Sequence, residues 1–327
     1  MAFDLTNTLV IGISSTALFD MSESDSLFKK FSDENPEKAI EQYRNYMLLH
    51  EEDELKPGTG YPLVTSLLSL NKYKKPDEKT ALVEVVIMSR NSPDTGLMVL
   101  NNIRKKEIDI TRSVFCGGKS VVDYLDAFDV DLFLTTDIND AQRVIDSKTC
   151  AVAILKDPPK VSSEYPDNQV RIAFDGDAVL FDEESEIVYK TMGLKKFHAQ
   201  ENEKQNEPLA EGPYATLLKK IAKLQARLPA KVDYSPVRIA LVTARNSPAD
   251  LRVIKTLRAW GVNIDEAFFL GGVEKTKILK SFNPQIFFDD QEIHLDPASI
   301  IVPSGRVPYT SKSPLYKEII SILPKSF

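Results

Sequence analysis

Residues 171–186, RIAFDGDAVLFDEESE, place two acidic side chains between two apolar runs. Residues 172–174 are typical of a buried strand, and Asp175, Gly176 and Asp177 follow it directly. Acidic pairs usually lie on solvated loops, so a pair in this position needs a structural reason. In an open parallel sheet, the carboxyl ends of the strands meet at one edge, where ligands bind. The stretch therefore predicts an α/β sheet whose strand ends carry functional side chains.

Short β-rich runs alternate with stretches of helical spacing along the whole chain. This alternation predicts an α/β protein with a mostly parallel sheet and helices on both faces, because its strands are continuously apolar. One helix is expected to begin at Ser247 and Pro248 and to end at Gly261. The predicted strands are TLVIGI, VEVVIM, DLFLT, CAVAIL, VRIAF, RIALVT, EAFFL, QIFFDD and SIIVP.

The composition is that of a soluble globular protein of 327 residues, for which two domains of ordinary size are expected. A net charge of -7 argues against a general nucleic-acid binder, which would carry a basic face. No uninterrupted apolar run is long enough for a membrane span, and the first residues lack a basic segment typical of a signal peptide, so we expect the cytosol. Cys116 and Cys150 are too few for a disulfide framework and are expected to be buried and reduced.

An internal repeat relates the two halves of the chain. Residues 90–118 resemble residues 245–272, and residues 11–20 resemble residues 172–182. The differences are concentrated in charged residues, whose counterparts in the first half are uncharged: Asp175 and Ser14, Asp177 and Thr16, Lys275 and Val121, Asp289 and Thr135, Asp290 and Thr136.

This pattern predicts a duplicated unit whose first copy lacks the acid set; coincidence between two ordinary βα units is the alternative. We expect residues 8–150 and 168–300 to form similar sheets, with domains at 1–165 and 166–327. Two polar segments, at about residues 22–79 and 183–236, are typical of insertions between strands.

Four marks of chemistry follow one another in the second half, each near the end of a predicted strand. They are the Asp175–Asp177 pair, Thr243, Lys275 and the Asp289–Asp290 pair. Carboxylates brought close together repel one another, and a hard cation such as Mg²⁺ removes that penalty. A carboxylate can also attack phosphorus, a second acid can protonate the leaving oxygen, and a lysine with a hydroxyl can stabilise the phosphoryl group. Each mark alone is typical of a turn or a solvated residue, but the ordered set favours phosphoryl transfer.

The ordered marks resemble the motifs of the haloacid dehalogenase (HAD) superfamily of phosphotransferases. Within it, IAFDGDAVLF, LVTARNSPA, TLRAWGVNIDEAFFLGG and PQIFFDDQEIH resemble the cytosolic 5′-nucleotidase type I family. First-half segments such as SSTALFDM and NSPDTGLMVLNNI do so too, and the likeness covers roughly residues 8–310. The resemblance implies a HAD-like Rossmannoid fold and Mg²⁺-dependent hydrolysis of nucleoside 5′-monophosphates such as AMP.

The resemblance also implies a role for each mark. Asp175 would be the nucleophile and a metal ligand, and Asp177 the general acid and base, with its backbone carbonyl on the metal. Thr243 and Lys275 would hold the phosphate; Lys277 is the alternative lysine, but the spacing favours Lys275. Asp289 and Asp290 would complete the metal site, with Asp290 favoured as the direct ligand.

The resemblance further implies a small helical cap over the site, within residues 183–236. Six residues are candidates for contact with the substrate: Gly176, Phe197, His198, Tyr214, Arg245 and Asn246. Because Arg90 and Asn91 repeat Arg245 and Asn246 in the half without acids, a structural role for that pair is an equal alternative. Other functions left open are a phosphatase or phosphotransferase for another small phosphomonoester, and a nucleotide-sensing binding protein. A homo-oligomer is also left open.

Overall fold

The computed structural model of the protein describes residues 4–161, 164–165, 169–229 and 234–316. Within that part of the chain, ten strands form one central sheet and two short strands, β2 and β3, form a second. The strands are β1 (Leu9–Ile13), β2 (Phe19–Asp20), β3 (Lys56–Pro57), β4 (Val83–Ser89), β5 (Arg112–Phe115), β6 (Leu132–Thr135), β7 (Ala151–Leu155), β8 (Val170–Phe174), β9 (Val237–Thr243), β10 (Glu266–Phe269), β11 (Ile286–Asp289) and β12 (Ser304–Arg306). The α-helices are α1 (Ser15–Leu18), α2 (Ser22–Glu34), α3 (Ala39–Leu49), α4 (Tyr61–Leu68), α5 (Leu97–Lys105), α6 (Ile138–Ser147), α7 (Glu184–Glu203), α8 (Ala215–Gln225), α9 (Asp250–Ala259), α10 (Thr276–Phe282) and α11 (Glu292–Ser299).

The two halves of the large sheet have the same strand order. Across the sheet the order is β10-β9-β8-β11-β12 and then β7-β6-β1-β4-β5. Neighbouring strands are parallel except β12 and β7, which pair antiparallel where the halves meet. In chain order, each half therefore builds third-second-first-fourth-fifth from its outer edge inward. The α/β fold with a mostly parallel sheet is confirmed, whereas the domain boundaries stay a prediction.

Backbone details also repeat between the halves. Gly117 and Gly118 have φ angles of 55° and 88°, and the corresponding Gly271 and Gly272 have 57° and 89°. Positive φ favours glycine, because a side chain is strained there. The Gly58 amide donates to the Leu18 carbonyl at 2.8 Å, as the Gly212 amide does to Leu180 at 2.9 Å.

Helices cover both faces of the sheet, as its continuously apolar strands require. Alternate residues of each strand point to opposite faces. On one face, a single apolar cluster extends across both halves, with Leu9, Ile11, Phe174 and Ile239 among its buried members. On the other face, separate clusters form under each half, one containing Val10 and the other Phe287 and further residues. No helix among the described residues is long and apolar enough to span a bilayer.

Both segments predicted as insertions contain a helix that packs in the core. The segment at 183–236 contains α7, which is interrupted at Gly193 (φ 78°), and α8. The apolar face of α8, including Leu218 and Ile221, is buried in the large core cluster, so α8 is part of the scaffold. In the first half, α2 and α3 pack on each other, whereas α4 buries Leu63 and Val64 in that core.

Several local predictions were wrong. Residues 299–303, SIIVP, end α11 and turn, and the last strand is β12 immediately after them. Strand β5 has no long apolar run and is partly exposed at the sheet edge, so its sequence did not reveal it. Helix α9 begins at Asp250 rather than Ser247, because a turn closed by the Ala249 amide and the Asn246 carbonyl precedes it. Cys116 and Cys150 are free, but both are partly exposed rather than buried.

Candidate active site

Three of the four predicted marks lie at the ends of neighbouring strands of the second half. Strand β8 lies between β9 and β11, so the residues at the three carboxyl ends are adjacent. Asp175 follows β8, Thr243 ends β9, and Asp289 ends β11 with Asp290 next to it. Lys275 lies at the start of α10 and reaches the same place. The structure therefore brings together Asp175, Thr243, Lys275, Asp289 and Asp290.

Lys275 lies between two of the carboxylates. Its Nζ is 2.7 Å from Asp175 Oδ1 and 2.7 Å from Asp289 Oδ2, and all three side chains are almost fully buried. Burial alone would lower the pKa of Lys275, but the charges of Asp175 and Asp289 raise it above its ordinary value. The lysine therefore stays a cation. Lys277 is exposed, so the spacing argument selected the lysine that reaches the carboxylates.

Burial raises the pKa of Asp175 to about 6, against the lowering effect of Lys275. Asp289 adds to that rise, because a second carboxylate nearby disfavours the charged form. Burial also raises the pKa of Asp290, and the charge of Asp289 raises it further. One lysine does not neutralise three buried carboxylates. A bound cation would compensate the remaining negative charge.

The donor set fits a hard divalent cation. Carboxylate oxygens of Asp175, Asp289 and Asp290 lie within 4.8 Å of one another, and all three residues are buried. Asp289 is committed to other partners: Oδ2 accepts from Lys275 and Oδ1 accepts from the Gln291 amide at 2.9 Å. Asp290 Oδ2 accepts from the Tyr309 hydroxyl, while its buried Oδ1 has no hydrogen-bond partner among the described residues. Asp290 thus has an oxygen available for a cation, in line with the prediction that Asp290 and not Asp289 is the direct metal ligand.

Asp177 is held by an arginine. Arg245 Nε donates to Asp177 Oδ2 at 2.8 Å and Arg245 Nη2 donates to Oδ1 at 2.6 Å, which is a bidentate pair. The same guanidinium donates to Glu201 Oε2 at 2.6 Å through Nη1. Glu201 is fully buried and also accepts from Arg252 at 2.9 Å. This buried network ties α7 to the segments that follow β8 and β9.

Gly176 permits close packing between the Asp175–Asp177 turn and Thr243. A Cβ atom at Gly176 would lie 3.3 Å from Thr243 Oγ1, tighter than ordinary contact. The hydroxyl of Thr243 also accepts from the Arg245 amide at 3.3 Å. Thr243 is therefore placed directly beside the backbone between the two acids, where a phosphoryl group could bind.

Comparisons with known proteins agree with this geometry. The family model described as 5′-nucleotidase matches residues 1–314. The chain belongs to the 5′-nucleotidase family. The human protein cytosolic 5′-nucleotidase 1B is 36% identical over 298 residues, which is 89% of this chain and 47% of that relative. The chain thus spans about half the length of this relative. No solved structure gives a significant match.

The candidates for substrate contact separate into two groups in this 5′-nucleotidase family member. His198 Nε2 lies 3.0 Å from Asn246 Oδ1, so helix α7 meets the segment after β9. Phe197 lies under the Arg245 guanidinium, 5.4 Å from its centre. Tyr214, by contrast, is fully buried and packs against Phe288 with ring centroids 5.0 Å apart. Its position in the core does not support the predicted contact with the nucleoside.

Three residues that contact the site or its buried ionic network were not predicted from the sequence: Tyr309, Glu201 and Arg252. Tyr309 lies after the last strand and reaches back to Asp290. Glu201 and Arg252 lie 51 positions apart and meet only in the folded chain. No motif spacing pointed to any of them. Complete burial of Glu201 would have marked it as a residue with a special partner. That burial could not be predicted, because the sequence of α7 does not show which face is buried.

Proposed function

We propose that this protein is a Mg²⁺-dependent 5′-nucleotidase, which hydrolyses nucleoside 5′-monophosphates such as AMP to nucleoside and phosphate. The observation that carries the proposal is the buried cluster of Asp175, Asp289 and Asp290 around Lys275, in a chain of the 5′-nucleotidase family. The name of the human relative, cytosolic 5′-nucleotidase 1B, supports the same activity and a cytosolic location.

Asp175 and Asp290, with the Asp177 backbone carbonyl, would hold the Mg²⁺ directly, and Asp289, whose two oxygens already accept from Lys275 and the Gln291 amide, would complete the site beside them. The free Oδ1 of Asp290 and the surplus of buried negative charge support this assignment. When bound, the ion would offset the repulsion between carboxylates and polarise the phosphoryl oxygens. Lys275 and Thr243 are positioned to neutralise and hold the remaining phosphoryl oxygens.

Asp175 would act as the nucleophile. One of its carboxylate oxygens attacks phosphorus, the bond from phosphorus to the 5′ oxygen breaks, and an aspartyl-phosphate forms. Asp177 gives its proton to the leaving 5′ oxygen, which departs as the nucleoside hydroxyl. Water then attacks phosphorus, Asp177 takes a proton from that water, and the bond to Asp175 breaks to release phosphate.

The bidentate ion pair between Arg245 and Asp177 has to change before Asp177 can act as an acid. Both carboxylate oxygens of Asp177 accept from Arg245. A protonated carboxyl group has an O–H in place of one acceptor. Asp177 therefore has to lose one of its two hydrogen bonds to Arg245 before it can donate a proton to the leaving oxygen. Substrate binding against α7 would break that bond. Phe197, His198 and Asn246 would lie beside the nucleoside.

We also propose that the chain consists of two repeats, residues 1–165 and 166–327, and that the second carries the reaction. Equal strand order in the two halves and matching glycine conformations support a duplication. A superposition of residues 8–150 on residues 168–300 that failed to match β1 with β8 would contradict it.

Phosphate release from a panel of nucleoside 5′-monophosphates, in Mg²⁺ and in EDTA, tests the activity. We expect release in Mg²⁺ only, and loss of at least about 1,000-fold in Asp175→Asn, because the nucleophile is removed. Asp126→Asn, at an exposed aspartate outside the cluster, is the matched control and should keep the wild-type rate. No metal-dependent release from any substrate would favour a nucleotide-sensing protein instead.

A further inference from the structure

A large cavity lies in the half of the chain that has no acid set. Its volume is about 1010 Å³, and it opens at the carboxyl ends of β1, β4 and β6. Ser14 and Thr16 line it where the second half has Asp175 and Asp177. Binding cavities for small molecules typically measure about 300–1,000 Å³. The cavity therefore has the size of a binding site, and it occupies the position in the first half that the carboxylate cluster occupies in the second.

Two residues that line the cavity each carry a buried polar atom without a partner among the described residues. Ser15 is 3% exposed, and its buried Oγ has no hydrogen-bond partner among the described residues. The buried Nδ2 of Asn91 also has none within the part of the chain that the structure describes. Buried polar atoms without partners cost free energy, so they are normally satisfied by a protein group, a water or a ligand. Both residues line the cavity, and this points to a ligand with hydroxyl or amide groups.

The charges around the cavity exclude the chemistry of the second half. Four carboxylates and two guanidinium groups line it, a formal net charge of -2. Both guanidinium groups are already paired, Arg90 with Asp140 and Arg44 with Asp94. Val121 replaces the lysine, and no metal-binding group of three acidic, histidine or cysteine residues occurs there among the described residues. A phosphate would therefore meet net negative charge and no unpaired cation among the described residues that line the cavity.

The remaining walls suit a flat ring. Phe28 and Tyr43, from the α2–α3 pair, meet edge to face with centroids 5.1 Å apart. Met88 also lines the cavity. Aromatic and thioether side chains bind planar rings, and hydroxyls suit a sugar. Thr16 and Thr136 offer such hydroxyls, 2.6 Å from each other.

We propose that the first-half cavity binds a neutral nucleoside and leaves it chemically unchanged. The choice of nucleoside rests on the proposed function, because nucleoside is what the second half would release. The claim that the ligand is neutral rests on the charge of the cavity itself.

Equilibrium dialysis with radiolabelled adenosine, guanosine, cytidine and uridine tests the proposal. Thr136 is exposed at the cavity, and Thr136→Trp would place a bulky indole ring where the sugar is expected to bind; Thr6→Trp, at an exposed threonine outside it, is the matched control. We expect Thr6→Trp to bind as many nucleosides per chain as wild type, and Thr136→Trp to bind one fewer. Ser15→Ala should weaken binding at that site by about two- to tenfold, because one hydrogen bond is lost.

Equal binding to Thr136→Trp and Thr6→Trp would overturn the proposal. So would a site lost in Thr136→Trp that prefers ADP to every nucleoside, since the ligand would then be an anion. Thermal unfolding checks that Thr136→Trp is folded, and if it is not, Ser15→Ala and Asn91→Ala decide: wild-type affinity in both overturns the proposal. Dialysis needs no turnover, so a chain that releases no phosphate refutes the proposed function and leaves this test intact.

Discussion

Glu201 is the centre of a buried ionic network, and replacing it with glutamine should destabilise the protein strongly. The glutamate is fully buried and accepts from Arg245 at 2.6 Å, from Arg252 at 2.9 Å and from Ser185 at 3.0 Å. Glutamine keeps the volume but removes the negative charge. Arg245 would keep Asp177 as a partner, whereas Arg252 would keep only neutral acceptors among the described residues, namely the Glu207 carbonyl and the new amide oxygen.

The magnitude follows from these partners. Removing one member of a buried ion pair costs about 3–5 kcal/mol, because the other charge is left buried without compensation. Within the described part of the chain, Arg252 loses its single carboxylate partner and Arg245 keeps one, so the low end applies, about 3 kcal/mol. For a chain of this size, each kcal/mol lowers the melting temperature by about 2 °C. The expected change for Glu201→Gln is therefore a fall of about 6 °C.

Differential scanning calorimetry measures this change directly. Glu203→Gln, at an exposed glutamate two positions away on α7, is the control and should stay within about 1 °C of wild type, as surface changes usually do. If Glu201→Gln melted within about 1 °C of wild type, the network would contribute little. That result would contradict the claim that Arg252 needs the buried Glu201 carboxylate.

Two further predictions concern the metal. Tyr309→Phe removes the hydroxyl that donates to Asp290 and should raise the Mg²⁺ concentration for half-maximal phosphate release by about tenfold, whereas Tyr124→Phe, at an exposed tyrosine, should not change it. The pKa of Asp175 is raised to about 6 in the folded metal-free chain from 3.8, so the folded state keeps a proton that the unfolded state loses. The stability of the metal-free protein should therefore fall as pH rises from about 4 to 6, and the gain in melting temperature on adding Mg²⁺ should be larger at pH 7 than at pH 5; an equal gain at both would contradict the assignment of Asp175 as a ligand.

The sequence predicted the position of the acids well, for a simple physical reason. A buried parallel strand is a continuous apolar run, and its end is visible where charged residues begin. Asp175 and Asp289 both follow such runs, so their shared edge could be inferred before the strand order was known. Lys275 was preferred over Lys277 because of its spacing to the Asp289–Asp290 pair, and it is the lysine that reaches the carboxylates.

Contacts between elements could not be predicted in this way. The spacing of α8 indicates a buried face, but not the partner of that face, and so Tyr214 was assigned to a cap when it lies in the core. Tyr309 and Glu201 reach their partners only through the folded chain. Their roles depend on tertiary packing that leaves no period in the sequence.

The first half of the chain has hydroxyl groups at the positions where the second half has buried acids. In the first half, Ser14, Thr16 and Thr136 hydrogen-bond to one another, with Thr16 Oγ1 at 3.1 Å from Ser14 Oγ and 2.6 Å from Thr136 Oγ1. Hydroxyls can both donate and accept, so this set is satisfied without a cation. Carboxylates can only accept when ionised, so Asp175, Asp289 and Asp290 cannot satisfy one another in the same way. The scaffold therefore accepts neutral residues at these positions, and the acids in the second half bring a cost that the proposed metal-dependent reaction at that edge would account for.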